Sequence, residues 1–246
     1  TINFNGGTLT TSGAITISSA NAATVVKSGG AVFNVASNTL TMSGNLTTDG
    51  NGGGLTKNGT GTLVLSGAGT NYTGTTTVNA GTLEIGGAGL LGGGSYSGNI
   101  ANTGTFLYNG TNSQTLSGVI SGSGGLTKSN SGNLTLSANN TYTGTTTIIN
   151  GGADYSAGNQ LRLSNASGPA ILGNVTIGNN SGTNAGAVLV TTQNNQLGST
   201  SVITINNTSS GYGYFELRGT AQTIAGLSGA ASVRTVVQNE ESGTLA

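Results

Sequence analysis

Short runs of alternating apolar and polar residues constrain the fold of this chain more than any other feature. They recur along the whole sequence with Thr as the usual polar partner, as in Leu134-Thr135-Leu136, Val175-Thr176-Ile177 and Ile203-Thr204-Ile205. A period of two indicates β-strands that bury one face. Gly- and Asn-rich turn signals separate the runs about every eight to twelve residues. The sequence therefore predicts an all-β chain of short strands.

The composition excludes several classes of protein. Charged residues make up 5% of the chain, six basic residues balance six acidic ones, and His and Cys are absent. A Ser-His-Asp triad, a thiol nucleophile, a disulfide and a zinc site of the usual ligands are therefore excluded. Six scattered cations do not form the basic patch that nucleic-acid binding needs. The apolar runs are too short for membrane insertion, and ordered patterning of 34% apolar residues argues against disorder.

Two segments, 53–83 and 124–152, repeat one another. Each begins with Gly-Gly-Leu-Thr-Lys and continues to Tyr-Thr-Gly-Thr-Thr-Thr, at 72–77 and 142–147. A sandwich would have longer strands and more than 4% aromatic residues, and a propeller would repeat an aromatic signature about every 40 residues. We therefore predict one continuous parallel β-solenoid over residues 1–246. At roughly 20 residues per turn, it would have about a dozen turns.

The first repeat resembles the autotransporter-associated β-strand repeat of passenger-type proteins on bacterial surfaces. The resemblance is carried by Gly53–Lys57, Gly61–Leu63 and Tyr72–Val78. The second copy departs from it, because Ser129–Ser131 replaces Asn-Gly-Thr and the closing Gly-Thr-Leu is missing. The resemblance implies a right-handed parallel β-helix, secretion and a location outside the cell or on its surface. It implies no catalytic residue.

Both ends of the chain lie inside strand patterns. Ile2 and Phe4 belong to an alternating run at the start, and Thr244 and Leu245 belong to another at the end. Bare strands at the ends of a solenoid expose unpaired backbone groups, which pair readily with another chain. We therefore expect these four residues either to continue into a longer secreted parent protein or to stack copies head to tail into a filament.

The leading hypothesis is a non-enzymatic extracellular structural protein. Its solenoid would act as a surface stalk or as the subunit of a self-assembling fibre. The expected partners are other copies of the chain or the adjoining solenoid of the same parent. We expect no cofactor, no nucleic acid and no metal ion.

The alternative hypothesis is a passenger adhesin that binds glycans or a host surface. Tyr212, Tyr214 and Phe215 form the main aromatic cluster of the sequence, and Arg218 follows closely. Exposed aromatic side chains stack on sugar rings or anchor a partner protein. Packing of a loop over the rod is the simpler interpretation of the same rings. We therefore expect any glycan or partner contact at these four residues.

A polysaccharide-degrading enzyme is the third hypothesis. Glycoside hydrolysis needs two facing carboxylates, but Glu84 and Glu216 lie between apolar neighbours and should point outward, several turns apart. Asp49 supplies one carboxylate to a Gly-rich turn where calcium usually takes several. Lys57 and Lys128 share a repeat position and are expected to be exposed single charges. We therefore predict no catalytic, metal or cofactor site.

Overall fold

The computed structural model describes residues 1–18, 24–149, 160–178, 186–206, 212–229 and 234–239, with only the backbone of Tyr212 and Arg234. These residues form 26 strands of two to six residues and a 3₁₀ turn at Gly92–Gly94. The strands are β1 Ile2–Phe4, β2 Thr8–Thr11, β3 Ile15–Ile17, β4 Thr24–Val26, β5 Ala31–Val35, β6 Thr39–Met42, β7 Leu46–Thr48, β8 Leu55–Asn58, β9 Thr62–Leu65, β10 Thr76–Val78, β11 Thr82–Gly87, β12 Ser95–Tyr96, β13 Ile100–Asn102, β14 Thr105–Gly110, β15 Gln114–Leu116, β16 Ile120–Ser121, β17 Gly125–Lys128, β18 Leu134–Leu136, β19 Thr146–Ile148, β20 Gln160–Leu163, β21 Val175–Ile177, β22 Ala187–Thr191, β23 Val202–Ile205, β24 Tyr212–Glu216, β25 Gly226–Gly229 and β26 Arg234–Gln238.

The strands pair in parallel, and each strand hydrogen-bonds to its counterpart one turn away. Four sheets result, in the orders β1-β4-β7, β2-β5-β8-β10-β13-β16, β3-β6-β9-β11-β14-β17-β19-β21-β23-β25 and β12-β15-β18-β20-β22-β24-β26. They are called below the three-, six-, ten- and seven-stranded sheets. The architecture is a parallel β-solenoid, which confirms the predicted all-β fold.

The turns are longer than expected. Paired residues are 20 positions apart between Leu63 and Leu83, but 29 apart between Thr146 and Val175. The ten strands of the longest sheet therefore enclose about nine turns, somewhat fewer than the dozen predicted. The described residues contain no helix of the length and hydropathy needed to cross a bilayer.

The core is a stack of inward-facing side chains. In the ten-stranded sheet, one buried column contains Leu40, Leu63, Leu83, Phe106 and Leu126 in successive turns. Aliphatic side chains that repeat at the strand spacing of about 4.8 Å pack closely along the rod and are removed from water.

Part of the outer face of the same sheet is a column of hydroxyl side chains. Thr127, Thr147, Thr176 and Thr204 are aligned in register and half-buried, and Ser228 follows them. Like charges at these positions would stand one strand spacing apart and repel one another. Neutral Thr avoids this repulsion and suits a half-exposed strand, which explains the low charge of the chain.

Candidate functional site

The tyrosine of each repeat is a buried packing element. Tyr72 and Tyr142 are fully buried, and their hydroxyls form hydrogen bonds of 2.7 Å with the Oγ1 atoms of Thr76 and Thr146. Burial raises the pKa of both phenols, so they stay neutral. The shared Tyr-Thr-Gly-Thr-Thr sequence thus encodes a satisfied polar contact inside the rod rather than an exposed aromatic surface.

The glycine of the same motif allows two turns to approach closely. A Cβ atom on Gly74 would lie 2.3 Å from the carbonyl oxygen of Gly52 in the preceding turn. A Cβ atom on Gly144 would lie at the same distance from the carbonyl oxygen of Gly124. A Cβ atom this close to a backbone oxygen would clash, so both copies of the motif require a residue without a side chain at this position.

The expectation that Lys57 is an exposed charge is wrong. Its side chain is buried, and its Nζ donates to the carbonyl oxygens of Asn58 at 2.9 Å, Gly59 at 2.7 Å and Ala80 at 3.2 Å. An ammonium group has three donors, so it satisfies three carbonyl groups where the chain turns. Burial lowers the pKa of Lys57 to about 8.

Lys128 is buried in the same way, so the exposure predicted for it is also wrong. Its Nζ donates to the carbonyl oxygens of Ser129 and Asn130, both at 2.8 Å, and lies 5.9 Å from the ring centre of Tyr108. Burial lowers the pKa of Lys128 to about 7. The Gly-Gly-Leu-Thr-Lys sequence therefore ends in a structural cation that caps a turn.

The two repeats lie on different faces of the rod. Lys57 lies on β8 of the six-stranded sheet, whereas Lys128 lies on β17 of the ten-stranded sheet. The Thr-Thr segments after each Tyr differ in the same way, since β10 and β19 also belong to those two sheets. The repeat therefore encodes one turn of solenoid and does not specify the face on which the turn begins.

The four residues predicted to contact a glycan or partner are placed differently from one another. Phe215 is 3% exposed and belongs to the core, so its side chain offers no surface. Tyr214 is half-buried and lies on the outer face of β24. The Nε of Arg218 donates to Oε2 of Glu216 at 3.0 Å, and the side chain of Tyr212 lies outside the described residues. Binding at this region stays a prediction.

Arg162 also belongs to this region, although the sequence did not predict it there. Arg162 lies on β20 between the core residues Leu161 and Leu163, so its side chain is on the outer face of the seven-stranded sheet. Its Nε donates to Oε1 of Gln160 at 2.7 Å. The signal that could have found it is a charged residue at the polar position of an otherwise apolar alternating run.

The carboxylates of Glu84 and Glu216 are not brought together. Glu84 lies on β11 of the ten-stranded sheet, and Glu216 lies on β24 of the seven-stranded sheet. The expected exposure is wrong for Glu216, which is 5% exposed because Arg218 and Gln238 both contact its carboxylate. Glu84 is half-buried and accepts a hydrogen bond from Asn109. The arrangement is not the facing pair that glycoside hydrolysis uses.

Asp49 takes part in a local turn. Its Oδ1 accepts the backbone N–H of Asn51 at 3.1 Å, and its Oδ2 lies 3.4 Å from Nζ of Lys27. The contacts with Asn51 and Lys27 lower the pKa of Asp49. Within the described part of the chain, no three His, Cys, Asp or Glu residues are close enough together to hold a metal ion.

The residues predicted for end-to-end assembly are only partly described. Ile2 is 36% exposed, whereas Phe4 is 6% exposed and packs edge-to-face on Phe33 with ring centres 5.0 Å apart. Ile2 and Phe4 both line an open pocket of about 360 Å³. Thr244 and Leu245 lie outside the described residues. Head-to-tail stacking therefore stays a prediction.

Comparison with known proteins identifies the repeats. Residues 55–85 and 126–153 match the family model of the passenger-associated-transport-repeat. Among curated proteins, the chain is similar to the Adhesin BmaC autotransporter of Brucella suis biovar 1 (strain 1330), with 34% identity over 186 residues. This alignment covers 60% of the chain and 5% of that relative, so the chain spans only a small part of its length. No solved structure matches the chain.

These matches confirm the resemblance to passenger-type repeat proteins of bacterial surfaces. The first matched segment runs from the start of β8 into β11, and the described part of the second runs from within β17 through β19. Each copy therefore closes one turn of the solenoid. The chain is a β-solenoid that carries two passenger-associated transport repeats.

Proposed function

We propose that this chain is part of the passenger of an autotransporter adhesin, presented as a rod at a bacterial surface. The observation that carries the proposal is the continuity of the two passenger repeats with the rest of the solenoid. Both repeats contribute strands to the ten-stranded sheet, which runs along the rod. The chain contributes rigid length through its backbone ladders and buried aliphatic columns, and it displays its outer faces to a partner surface.

The composition of the outer faces supports this role. Many outward positions carry Thr, Asn and Ser, and several of the few charged side chains in the described residues are paired or buried, as for Lys27 with Asp49 and for Lys57. Such a surface avoids the repulsion that columns of like charge would create between turns, and it leaves hydroxyl and amide groups for contacts. This makes an adhesive shaft a better fit than an enzyme.

Surface labelling of the native bacterium tests the proposal. Antibodies raised against the purified 246-residue chain should label intact cells, and brief protease treatment of intact cells should remove the label. Deletion of the coding region for the chain should reduce attachment to host cells or to immobilised glycans. Labelling that requires permeabilised cells, or unchanged attachment after the deletion, would contradict the proposal.

A further inference from the structure

An unusual concentration of charge lies on the outer face of the seven-stranded sheet. The chain has twelve charged residues in total, and Arg162, Glu216 and Arg218 lie close enough to influence one another. In the strand register Arg162 is opposite Val190, and Val190 is opposite Glu216. The two arginines therefore stand on either side of β22, with the carboxylate beside only one of them.

The strand between the arginines carries apolar side chains on its outer side. Val188 and Val190 are on the outer side of β22, because Leu189 between them belongs to the core. Both valines are nevertheless fully buried. Charges beside buried apolar side chains are less well screened than charges in water, so attraction of the half-buried arginines to an anion is strengthened.

Among Arg162, Glu216 and Arg218, the charges do not balance. Oε2 of Glu216 accepts from Nε of Arg218 at 3.0 Å, and Oε1 accepts from Nε2 of Gln238 at 3.3 Å. The carboxylate is thereby engaged by Arg218 and Gln238, whereas the contact of Arg162 is the neutral amide of Gln160. Burial and the nearby Arg218 lower the pKa of Arg162, and Glu216 acts in the opposite direction. Among the described side chains, these two half-buried cations therefore have one carboxylate between them, and of the two it is bonded to Arg218 alone.

The geometry of the hydrogen bonds leaves both guanidinium groups able to bind further. Each arginine is held through its Nε by a buried partner, Gln160 or Glu216. A guanidinium has five N–H donors, and no residue in the described ranges accepts from the Nη atoms of Arg162 or Arg218. Fixing a guanidinium through Nε orients its two Nη groups as a fork, which is the geometry that binds a carboxylate or a sulfate with two hydrogen bonds.

We propose that Arg162 and Arg218 form a binding site for the oxyanion of an acidic polysaccharide. Tyr214 is on the same outer face, two positions before Glu216. An aromatic side chain beside an anion-binding fork matches the two chemical faces of an acidic sugar, namely its charged group and its apolar ring face. This proposal specifies which class of ligand the adhesin would bind, and it therefore rests on the proposed function.

Binding of the purified 246-residue chain to immobilised polysaccharides tests the site at about 0.15 M salt. Polygalacturonate presents carboxylates, dextran sulfate presents sulfates, and dextran is the neutral reference. The chain should bind at least one acidic polymer and not dextran. Arg162→Gln should weaken that binding about tenfold or more, because it removes a charge-assisted pair of hydrogen bonds. Preference for one acidic polymer identifies the natural oxyanion.

Two variants separate the site from general electrostatic attraction. Lys27→Gln removes a half-exposed cation on another part of the rod and should leave binding within about twofold of the wild type. Arg162→Lys keeps the charge without the planar fork and should retain only part of the affinity. Equal losses in Arg162→Gln and Lys27→Gln, or no binding of the wild type to either acidic polymer, would overturn the site. Surface labelling of bacteria tests the adhesin function separately, so that function could stand while the site fails.

Discussion

Single residues in this rod are used mainly to satisfy or avoid the backbone of a neighbouring turn. Asn45 shows the pattern: its Oδ1 accepts the backbone N–H of Gly69, 24 residues further on. Asn99 and Asn174 accept from Val119 and Val202 in the same way. A short amide side chain at a corner thus replaces a backbone hydrogen bond that the turn would break. This explains why Asn, and not only Gly, is abundant.

Gly74→Ala should destabilise the solenoid. The new Cβ atom would meet the Gly52 carbonyl oxygen at 2.3 Å, and relief requires moving one turn away from the next. We expect a loss of roughly 1–3 kcal/mol in the free energy of unfolding, as for overpacked cores. Gly7→Ala is the matched control, since nothing lies within 4 Å of its Cβ position. Urea unfolding monitored by circular dichroism measures both, and equal midpoints would contradict the steric explanation.

Lys128 should make stability depend on pH. Its folded pKa of about 7 is below the value of about 10.4 in an unfolded chain. Between these values the unfolded state binds more protons, so the free energy of unfolding should rise with pH, by up to about 1.4 kcal/mol per pH unit. Lys57, with a folded pKa of about 8, should add a similar rise at slightly higher pH.

Replacing Lys128 separates its contribution. Lys128→Met keeps a long apolar stem and should flatten the rise in stability between pH 7 and 8, while the part due to Lys57 persists above pH 8. Lys27→Met, at a half-exposed position, should leave the rise intact. Thermal or urea unfolding at a series of pH values measures the slope. A slope that Lys128→Met leaves unchanged would show that this ammonium is not the titrating group.

At the level of elements, buried amide side chains continue sheets where strands are interrupted. The six-stranded sheet ends at β16, and beyond it Asn140 accepts from the backbone N–H of Ile120 at 2.7 Å and donates to the carbonyl oxygen of Ala170 at 2.9 Å. Gln196 accepts from the N–H of Asn165 at 2.6 Å and donates to its carbonyl oxygen at 2.8 Å. Each amide takes the place of a peptide unit in the ladder.

Gln196→Leu should therefore be strongly destabilising. It leaves the N–H and the carbonyl group of Asn165 without their amide partner in a buried place, and each buried group left unpaired costs roughly 1–3 kcal/mol. Gln193→Leu is the matched control, because Gln193 is exposed three residues away, and it should change stability by less than about 0.5 kcal/mol. Chemical unfolding gives both values. Comparable effects of the two changes would contradict the role of the amide.

For the whole molecule, stability should follow complete turns rather than residues. Phe106 and Leu126 are paired in adjacent turns, so deletion of residues 106–125 removes one complete turn and keeps every later side chain on its face. Contacts run only between neighbouring turns, so such a rod should still fold. We expect the β signature in circular dichroism to persist with a modest loss of stability.

Deletion of half a turn is the control for this expectation. Removing residues 106–115 would move the later strands to other faces and turn apolar side chains outward, which abolishes the core. That variant should be unfolded or aggregated by circular dichroism and size-exclusion chromatography. Equal folding of the two deletions would show that the register between turns is not what holds the rod together.

The local pattern was enough to predict the strands, because each alternating run had to bury one face. The predicted runs Leu134-Thr135-Leu136, Val175-Thr176-Ile177 and Ile203-Thr204-Ile205 all lie in parallel strands with these apolar residues inside. The position of the charges was less predictable. A lysine between polar neighbours is usually exposed, and only the folded structure reveals that Lys57 is buried, with the carbonyl oxygen of Ala80 in the next turn among its partners.

The amino-acid sequence by itself determined the fold class, the strands and the kinship of the repeats, because these depend on residues close together in the chain. The tertiary structure alone decided three other properties: the length of each turn, the face on which each repeat lies, and the grouping of Arg162 with Arg218. These depend on which residues meet one turn later. That separation varies from 20 to 29 residues, because corners absorb insertions without disturbing the stacked strands.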